Sequence, residues 1–295
     1  MEKKGNMRKG LLMAMGAGVC WGATGLFGTL LFAQGFEPLA VASARLFFAF
    51  ITFAMVFLPK RYTKMAVSKK DLLLLALFSF IGITLFNVFY LEAVGRVGIS
   101  VAVVLLYTSP LFVVLFSSVF LGERITRSKV NAIALLLIGT FFVVEAYQVS
   151  LLRLNFTGIV MGLGAGLAFS LLSIFSKIAL VKADQITKIF YMFFFGSIYM
   201  SLIYPPWRIF EQGISAAGFL ALAGLVLIST LLAYTLYILA LSHLEAGKAS
   251  IAVALEPVSA ILFAFVFLKD VLSVTQYLGV TLVLLGILLV SYTKG

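Results

Sequence analysis

The residues of this chain that could do chemistry are few, and the most informative is a carboxyl group inside an apolar run. Glu256 lies near the middle of the hydrophobic segment 247–268, directly before Pro257. A carboxyl group in hydrocarbon costs about 2.5–3.5 kcal/mol on insertion scales, so it must face water, a partner or carry a proton. Glu256 could therefore bind a substrate amine or load and release a proton. The alternative is a structural carboxyl that hydrogen-bonds the backbone near the Pro257 kink.

Arg45, Pro110 and Pro257 are the next candidates. Arg45 lies in the apolar segment 39–58 and could be the counter-ion of Glu256 or hold a substrate carboxylate. Alternatively its long side chain extends outward to the membrane surface. Pro110 and Pro257 are the prolines that lie inside apolar segments, where each removes an amide donor and frees the carbonyl four residues earlier. They predict a hinge or cavity wall, with an ordinary packing kink as the alternative.

Small polar and aromatic side chains supply the remaining candidates. They could form a substrate wall that offers hydrogen bonds and stacking faces. Polar residues also commonly join neighbouring helices in membranes, so for any single residue that structural role is the favoured interpretation, and only the set as a whole suggests a pocket. The set comprises Trp21, Asn87, Tyr90, Tyr107, Ser109, Ser170, Ser173, Tyr234 and Tyr237.

Several chemistries are excluded by composition. Cys20 and His243 are the single cysteine and histidine, which leaves no basis for a disulfide, a His-based metal site or a typical Ser/His/Asp triad. The segment around Lys248 lacks the glycines and the hydroxyl residue of a phosphate-binding loop. No G-x-S-x-G serine occurs, which argues against an intramembrane enzyme acting on lipid. The sequence therefore predicts no enzyme, no cofactor and no metal.

The composition requires a membrane protein. Of the 295 residues, 63% are hydrophobic and 11% charged, with a mean hydropathy of +1.16. A soluble domain is about half apolar and about a quarter charged, so a soluble enzyme and a disordered chain are both excluded. The net charge of +11 comes from residues between the apolar runs. It therefore predicts contact with an anionic lipid surface and no nucleic-acid partner.

Ten apolar segments are long enough to span a bilayer. Counting Lys and Arg between them places 17 on one side and four on the other, with Arg45 inside a span. This bias predicts that both termini are cytoplasmic in a plasma or inner membrane. Lys177, near a cytoplasmic end, is interpreted as a surface anchor. The segments run approximately over 10–33, 39–58, 72–94, 98–120, 130–147, 157–180, 186–204, 218–241, 247–268 and 273–292.

An internal repeat relates the two halves. A shift of 147 residues matches Tyr90 with Tyr237, Pro110 with Pro257 and Glu123 with Asp270. Each half, 1–147 and 148–295, contains five spans, so the second half must enter the bilayer from the opposite side. The predicted fold is an all-α membrane protein of ten transmembrane helices in two inverted five-helix repeats. This architecture is found in secondary transporters, whose substrate sites lie near the midplane.

Glycine pairs predict where helices approach closely. Gly18 and Gly22 lie four residues apart in the first span, and Gly158, Gly162 and Gly166 follow the same spacing in the sixth. Such G-x-x-x-G pairs let two backbones come together. Because the first and sixth spans are repeat partners, we expect them to cross each other.

The repeated motifs resemble those of the EamA-type drug/metabolite transporter superfamily. They are Gly18-x-x-Trp21-Gly22, the segments 109–111 and 255–258 around the two prolines, and the span ends 120–123 and 267–270. Lys269 departs from the pattern, since a glycine usually precedes the acidic residue. The resemblance implies a central cavity lined by spans 1, 3, 4, 6, 8 and 9, with spans 5 and 10 peripheral.

The sequence thus predicts a secondary transporter that exports a small organic metabolite by alternating access. The expected substrate is an amino acid or a related carboxylate or amine, and the protein's other partner is the bilayer. Glu256 is the expected carboxyl group for either proton coupling or substrate binding. Two alternatives remain open. One is multidrug efflux of lipophilic cations, and the other is a membrane scaffold or receptor that transports nothing. Oligomeric state cannot be read from the sequence.

Overall fold

A computed structural model describes residues 2–61, 65–148, 155–178, 182–211 and 213–292. Ten long helices account for nearly all of these residues. Helices are the expected outcome because hydrocarbon offers no hydrogen-bond partners, so each backbone N–H and C=O must pair within its own segment. The helices are α1 Glu2–Phe32, α2 Pro38–Arg61, α3 Lys69–Val97, α4 Ile99–Leu121, α5 Arg127–Val143, α6 Phe156–Lys177, α7 Gln185–Ile203, α8 Ala216–Leu241, α9 Ala246–Leu268 and α10 Val274–Tyr292.

The ten-helix prediction is confirmed for the described residues. Nine of these helices have 18 residues or more and are apolar enough to cross a bilayer. The remaining one, α5, has 17 residues, which corresponds to about 25 Å of helix and still falls within the spanning range. Its predicted position, 130–147, lies three to four residues too late, because Thr126 caps its N-terminus by accepting a hydrogen bond from the Lys129 amide at 3.3 Å.

The repeat is visible in irregular details of the backbone. Helix α3 contains a π-helical segment, Phe80–Leu85, and α8 contains one at Leu225–Leu232, close to the positions that a shift of 147 relates. Helix α4 is interrupted just before Ser109, and α9 is interrupted by a 3₁₀ turn just before Glu256. The sequence pattern does not reveal the π-helical segments, and the shared irregularities show that the two halves have one architecture.

Contacts between the halves reveal a two-fold relation. Gly139 of α5 and Gly279 of α10 touch so closely that a Cβ on Gly139 would lie 2.9 Å from the Gly279 oxygen. A shift of 147 residues relates Gly139 to Gly286 and Gly279 to Ala132. These two residues also touch, because a Cβ placed on Gly286 would lie 3.1 Å from the Ala132 carbonyl oxygen. Helices α5 and α10 therefore pack along each other, in keeping with a position outside the central bundle.

The expected close crossing of the first and sixth spans at their glycine pairs is wrong. Helix α1 instead packs against α9, where a Cβ on Gly22 would lie 2.9 Å from the Glu256 carbonyl oxygen. Helix α6 packs against α4, where a Cβ on Gly166 would lie 3.2 Å from the Leu105 oxygen. The glycine spacing correctly marks close approach, but it carries no information about which helix approaches.

Candidate functional site

The interruptions of α4 and α9 supply the frame of the site. Pro257 cannot donate to the Val253 carbonyl, and the Glu256 N–H donates to that carbonyl instead, which tightens the chain into a 3₁₀ turn. In α4 the Thr108 hydroxyl donates to the Leu105 carbonyl at 2.6 Å. Each proline lies at the start of the helical segment that follows its interruption. Both helices are therefore interrupted beside their prolines.

Glu256 begins the second segment of α9 and is half-buried. Its carboxyl group lies beside the phenol of Tyr107 and within electrostatic reach of Arg45. The Tyr107 hydroxyl is buried and interacts with this carboxyl group without a well-formed hydrogen bond. A buried hydroxyl that is incompletely paired marks a place where a water or ligand can bind.

Arg45 is held inside the protein by Asn87. The guanidinium Nη2 donates to Asn87 Oδ1 at 2.7 Å, while Asn87 Nδ2 donates to the Ile83 carbonyl at 2.7 Å. Ile83 belongs to the π-helical segment of α3. Because Asn87 is buried, this geometry favours an inward role for Arg45 over an outward extension to the membrane surface.

Tyr90 and Tyr234 complete the charged part of the site. Both phenols interact electrostatically with Glu256 and with Arg45. Tyr234 is fully buried in α8, and Tyr90 is half-buried one turn after Asn87 in α3. A carboxyl group, a guanidinium and three phenols, including Tyr107, therefore surround one region of the molecule. Among the ion pairs of the described residues, none joins Arg45 directly to Glu256.

An aromatic layer adjoins this charged region. The Trp21 ring lies 5.0 Å from that of Tyr234, 5.4 Å from Tyr237 and 5.6 Å from Phe169. The Tyr237 hydroxyl shares a hydrogen bond of 2.7 Å with Ser173. Phe169 could not be selected from the sequence, because it is one of 29 phenylalanines that the pattern does not distinguish.

Two predicted residues have local roles in this conformation. The Ser170 hydroxyl donates to the Leu167 carbonyl of its own helix at 2.6 Å. Ser109 is buried at the start of the second segment of α4, at the position equivalent to Glu256. The carboxyl group of the site thus comes from one repeat only, although the backbone frame comes from both.

The interpretation of Lys177 as a simple anchor is wrong. Its ammonium donates to the Glu123 carboxylate at 3.0 Å and also to the Leu244 carbonyl. Glu123 and Lys129, which the sequence analysis did not select as site residues, belong to the same cluster of charges. The repeat pairing of Glu123 with Asp270 is the sequence signal that pointed to it.

Comparison with known proteins identifies this architecture. The model of the EamA-like transporter family matches residues 8–145 and again residues 156–292. The chain belongs to the EamA-like transporter family. The family model is therefore present in two copies, and the protein is a multi-pass membrane transporter with a fold of two inverted five-helix repeats.

Relatives of this EamA-like chain are themselves named as transporters. The uncharacterized inner membrane transporter YicL of Salmonella typhimurium is 25% identical over 295 residues, which cover 97% of this chain and 96% of YicL. An uncharacterized transporter of Archaeoglobus fulgidus is 28% identical over 86% of this chain and 87% of its own. The pseudopaline exporter CntI of Pseudomonas aeruginosa is 30% identical over 96 residues, 32% of this chain and 34% of CntI.

A solved crystal structure has the same fold. It superposes with a TM-score of 0.78 and covers 95% of both chains at 17% sequence identity. A sequence identity this low supports the shared fold but says nothing about the substrate. The chemistry of this transporter must therefore be argued from its own residues.

Proposed function

We propose that this protein is a secondary transporter that exports a small molecule carrying both an amine and a carboxylate, such as an amino acid. The observation that carries the proposal is the presence of Arg45 and Glu256 around one polar region without an ion pair between them. Arg45 is suited to bind a carboxylate through its fork of N–H donors. Glu256 is suited to bind the amine, and the buried Tyr107 hydroxyl beside it can hydrogen-bond to either group.

Transport proceeds by alternating access between the two inverted repeats. The interruptions of α4 and α9, where Pro110 and Pro257 lie, act as the flexible points of the cavity wall. When no substrate is bound, Glu256 exchanges a proton with the open side, so the proton gradient can drive export. The Lys and Arg bias supports cytoplasmic termini in a plasma or inner membrane, and the name of the exporter CntI supports the direction of transport.

Flux through proteoliposomes tests this proposal. Purified protein is assayed for uptake of a panel of radiolabelled amino acids, with and without an imposed pH gradient. Glu256→Gln keeps the shape of the side chain but cannot ionise, so we expect gradient-driven uptake to fall at least tenfold. Glu92→Gln is the matched control, because Glu92 is exposed and pairs with Arg96 on the helix surface. Unchanged gradient-driven flux in Glu256→Gln would eliminate the proposed role.

Efflux of lipophilic cations is a second candidate, favoured by the aromatic layer around Trp21 and by the single carboxyl group. Arg45→Gln separates the two candidates. It removes the carboxylate partner, so transport of a zwitterion should be lost. Transport of a lipophilic cation should survive or rise, because a repelling charge is gone. Dye efflux from cells that express each variant provides the second measurement.

A further inference from the structure

Two acidic residues occupy equivalent positions at opposite ends of the molecule. Glu123 follows α4 and Asp270 follows α9, and each comes after a residue in the left-handed conformation, Gly122 with φ 67° and Lys269 with φ 64°. The Glu123 amide donates to the Ser117 carbonyl, and the Asp270 amide donates to the equivalent Ala264 carbonyl. The capping conformation is therefore the same at both ends, although the last turn of α9 is π-helical.

The Glu123 carboxylate binds the start of α9. It accepts hydrogen bonds from the Ala246 amide at 2.7 Å and from the Gly247 amide at 3.2 Å. Lys177 of α6 reinforces this contact at 3.0 Å. The carboxylate thus ties the end of α4 and the end of α6 to the beginning of α9, and we name this set of contacts the Glu123 latch.

Lys129 extends the Glu123 latch to α5. Its side chain is only 2% exposed, and its ammonium lies 2.9 Å from Glu245 and 3.8 Å from Glu123. It also donates to the Arg124 carbonyl at 2.9 Å. Buried charges are tolerated only when they are paired in this way. In the described conformation this end is closed by an interlocked set of polar contacts.

The Asp270 end lacks the corresponding contacts. A shift of 147 residues relates the Ala246 and Gly247 amides to those of Ile99 and Ser100, at the start of α4. Asp270 is exposed, Ile99 is 63% exposed and the neighbouring Val271 is 90% exposed. No hydrogen bond or ion pair of the Asp270 carboxylate is found among the described residues. The partners that the repeat predicts for Asp270 are thus present in the chain but apart from it.

We propose that Glu123 and Asp270 form alternative latches, and that Asp270 binds the amides of Ile99 and Ser100 when the Glu123 latch opens. Inverted repeats reach the opposite access state by exchanging their conformations. The exchange moves the helix-capping contact from one end of the molecule to the other. This inference rests on the transport function proposed above, but it can be tested without any substrate.

The two latches differ in strength. The position equivalent to Lys177 is Leu30, and the position equivalent to Lys129 is Gln276. Gln276 is occupied elsewhere, because its amide donates to the Val143 carbonyl at 3.2 Å. The Asp270 latch therefore has no cation at the positions equivalent to Lys129 and Lys177. The protein accordingly rests with the Glu123 end closed, and weakening the Glu123 latch should populate the opposite state.

Disulfide cross-linking between introduced cysteine pairs tests the exchange. The parent is full-length Cys20→Ser in proteoliposomes, which removes the native cysteine. Ile99→Cys with Val271→Cys reports closure of the Asp270 end. Arg124→Cys with Ala246→Cys is the equivalent pair at the Glu123 end and retains the backbone groups of the latch. In the parent we expect the second pair to cross-link and the first pair to react little.

Glu123→Gln should reverse this pattern, raising the cross-linking rate of the 99/271 pair at least fivefold and lowering that of the 124/246 pair. Adding Asp270→Asn should cancel the rise. Lys177→Gln keeps the Glu123 carboxylate, so it should change the cross-linking rates of both pairs in the same directions but by a smaller factor. This variant replaces Glu123→Gln in the test if Glu123→Gln folds poorly. Glu211→Gln, an exposed carboxyl on another loop, should change neither.

If Glu123→Gln lowers the cross-linking rate at the Glu123 end without raising it at the Asp270 end, the inference is overturned, because the Glu123 carboxylate would then only stabilise the fold. If the cross-linking rate of the 99/271 pair still rises when Asp270→Asn is added to Glu123→Gln, the proposed role of Asp270 is overturned. Neither outcome bears on substrate binding by Arg45 and Glu256, so failure of this inference is distinguishable from failure of the proposed function.

Discussion

The Glu123 end and the Asp270 end share a capping turn and differ in their side chains. Both carry an acidic residue after a left-handed residue, with the same capping hydrogen bond. Only Glu123 is surrounded by Lys177, Lys129 and the amides of another helix. The two repeats therefore share the geometry of the capping turn but differ in the side chains around the acidic residue. Equivalent positions can consequently contribute unequally to stability. An alternating transporter needs such a difference if one access state is to be favoured at rest.

The largest expected effect is on stability. Removing the Glu123 carboxyl leaves the buried Lys129 with one partner fewer and leaves Lys177 with the Leu244 carbonyl but no carboxylate. We expect Glu123→Ala to lower the free energy of unfolding by about 3 kcal/mol. The same truncation at Asp270 should change it by less than about 0.5 kcal/mol, because that carboxylate is exposed.

Denaturation with SDS in detergent micelles, followed by circular dichroism, measures both values. Glu92→Ala is the control for an exposed ion pair, where about 0.3–0.5 kcal/mol is expected. Equal losses at Glu123 and Asp270 would show that the difference between the two ends carries no energy.

Lowering the pH should reveal the same difference between the two ends, with a smaller effect on stability. Burial alone would raise the pKa of the Glu123 carboxyl, but the Lys177 ammonium and the amides of Ala246 and Gly247 outweigh it and lower the pKa from its ordinary value of 4.5. A carboxyl whose pKa is lower in the folded state stabilises the protein above its unfolded value. This contribution is therefore present above pH 4.5 and is lost as the pH falls from 4.5 through the folded pKa.

Thermal melting at neutral pH and below pH 4.5 checks this prediction. The fall in melting temperature on acidification should shrink in Glu123→Gln and stay the same in Asp270→Asn. If Glu123→Gln melts with the parent's full pH dependence, another carboxyl group is responsible.

The smallest effect concerns the left-handed residues that precede the two acids. A side chain in this conformation costs about 1–2 kcal/mol, and glycine avoids the cost. We expect Gly122→Ala to destabilise the protein and Lys269→Gly to stabilise it, each by about 1 kcal/mol. Nothing lies within 4 Å of a Cβ placed on Gly122, so crowding does not contribute.

The melting temperatures of these two variants measure the effect. Opposite signs would show that both turns require the same left-handed conformation, which glycine adopts without the cost that lysine carries. Two changes of the same sign would contradict the equivalence of the two turns.

Part of the site could be read from the sequence. Glu256 and Arg45 were selected because an ionisable group in an apolar segment is costly and rarely accidental. Pro110 and Pro257 were selected because the repeat pairs them, and the interruptions of α4 and α9 lie beside them. The bond from Arg45 to Asn87 was not predicted, because it depends on the π-helical segment of α3 and on how α2 packs there.

Other features could not be predicted from the sequence, for a related reason. Lys177 looked like an anchor because its position near a span end suits a snorkelling lysine, and nothing local reveals Glu123 54 residues earlier. The glycines of α1 and α6 were assigned to each other, whereas each helix packs on an interrupted helix of the other half. Periodicity and composition describe a helix surface, and several partners fit the same smooth surface.

The sequence by itself determined the class of protein, the ten helices, the repeat and its inversion. These follow from local physics, since hydrocarbon forces each apolar segment into a helix and an odd number of spans inverts the second half. The tertiary structure decided which helices touch, where Arg45 points and which of two equivalent acids is buried among cations. Those outcomes depend on packing between segments far apart in the chain, where small differences in side-chain contacts select one arrangement among many that the pattern allows.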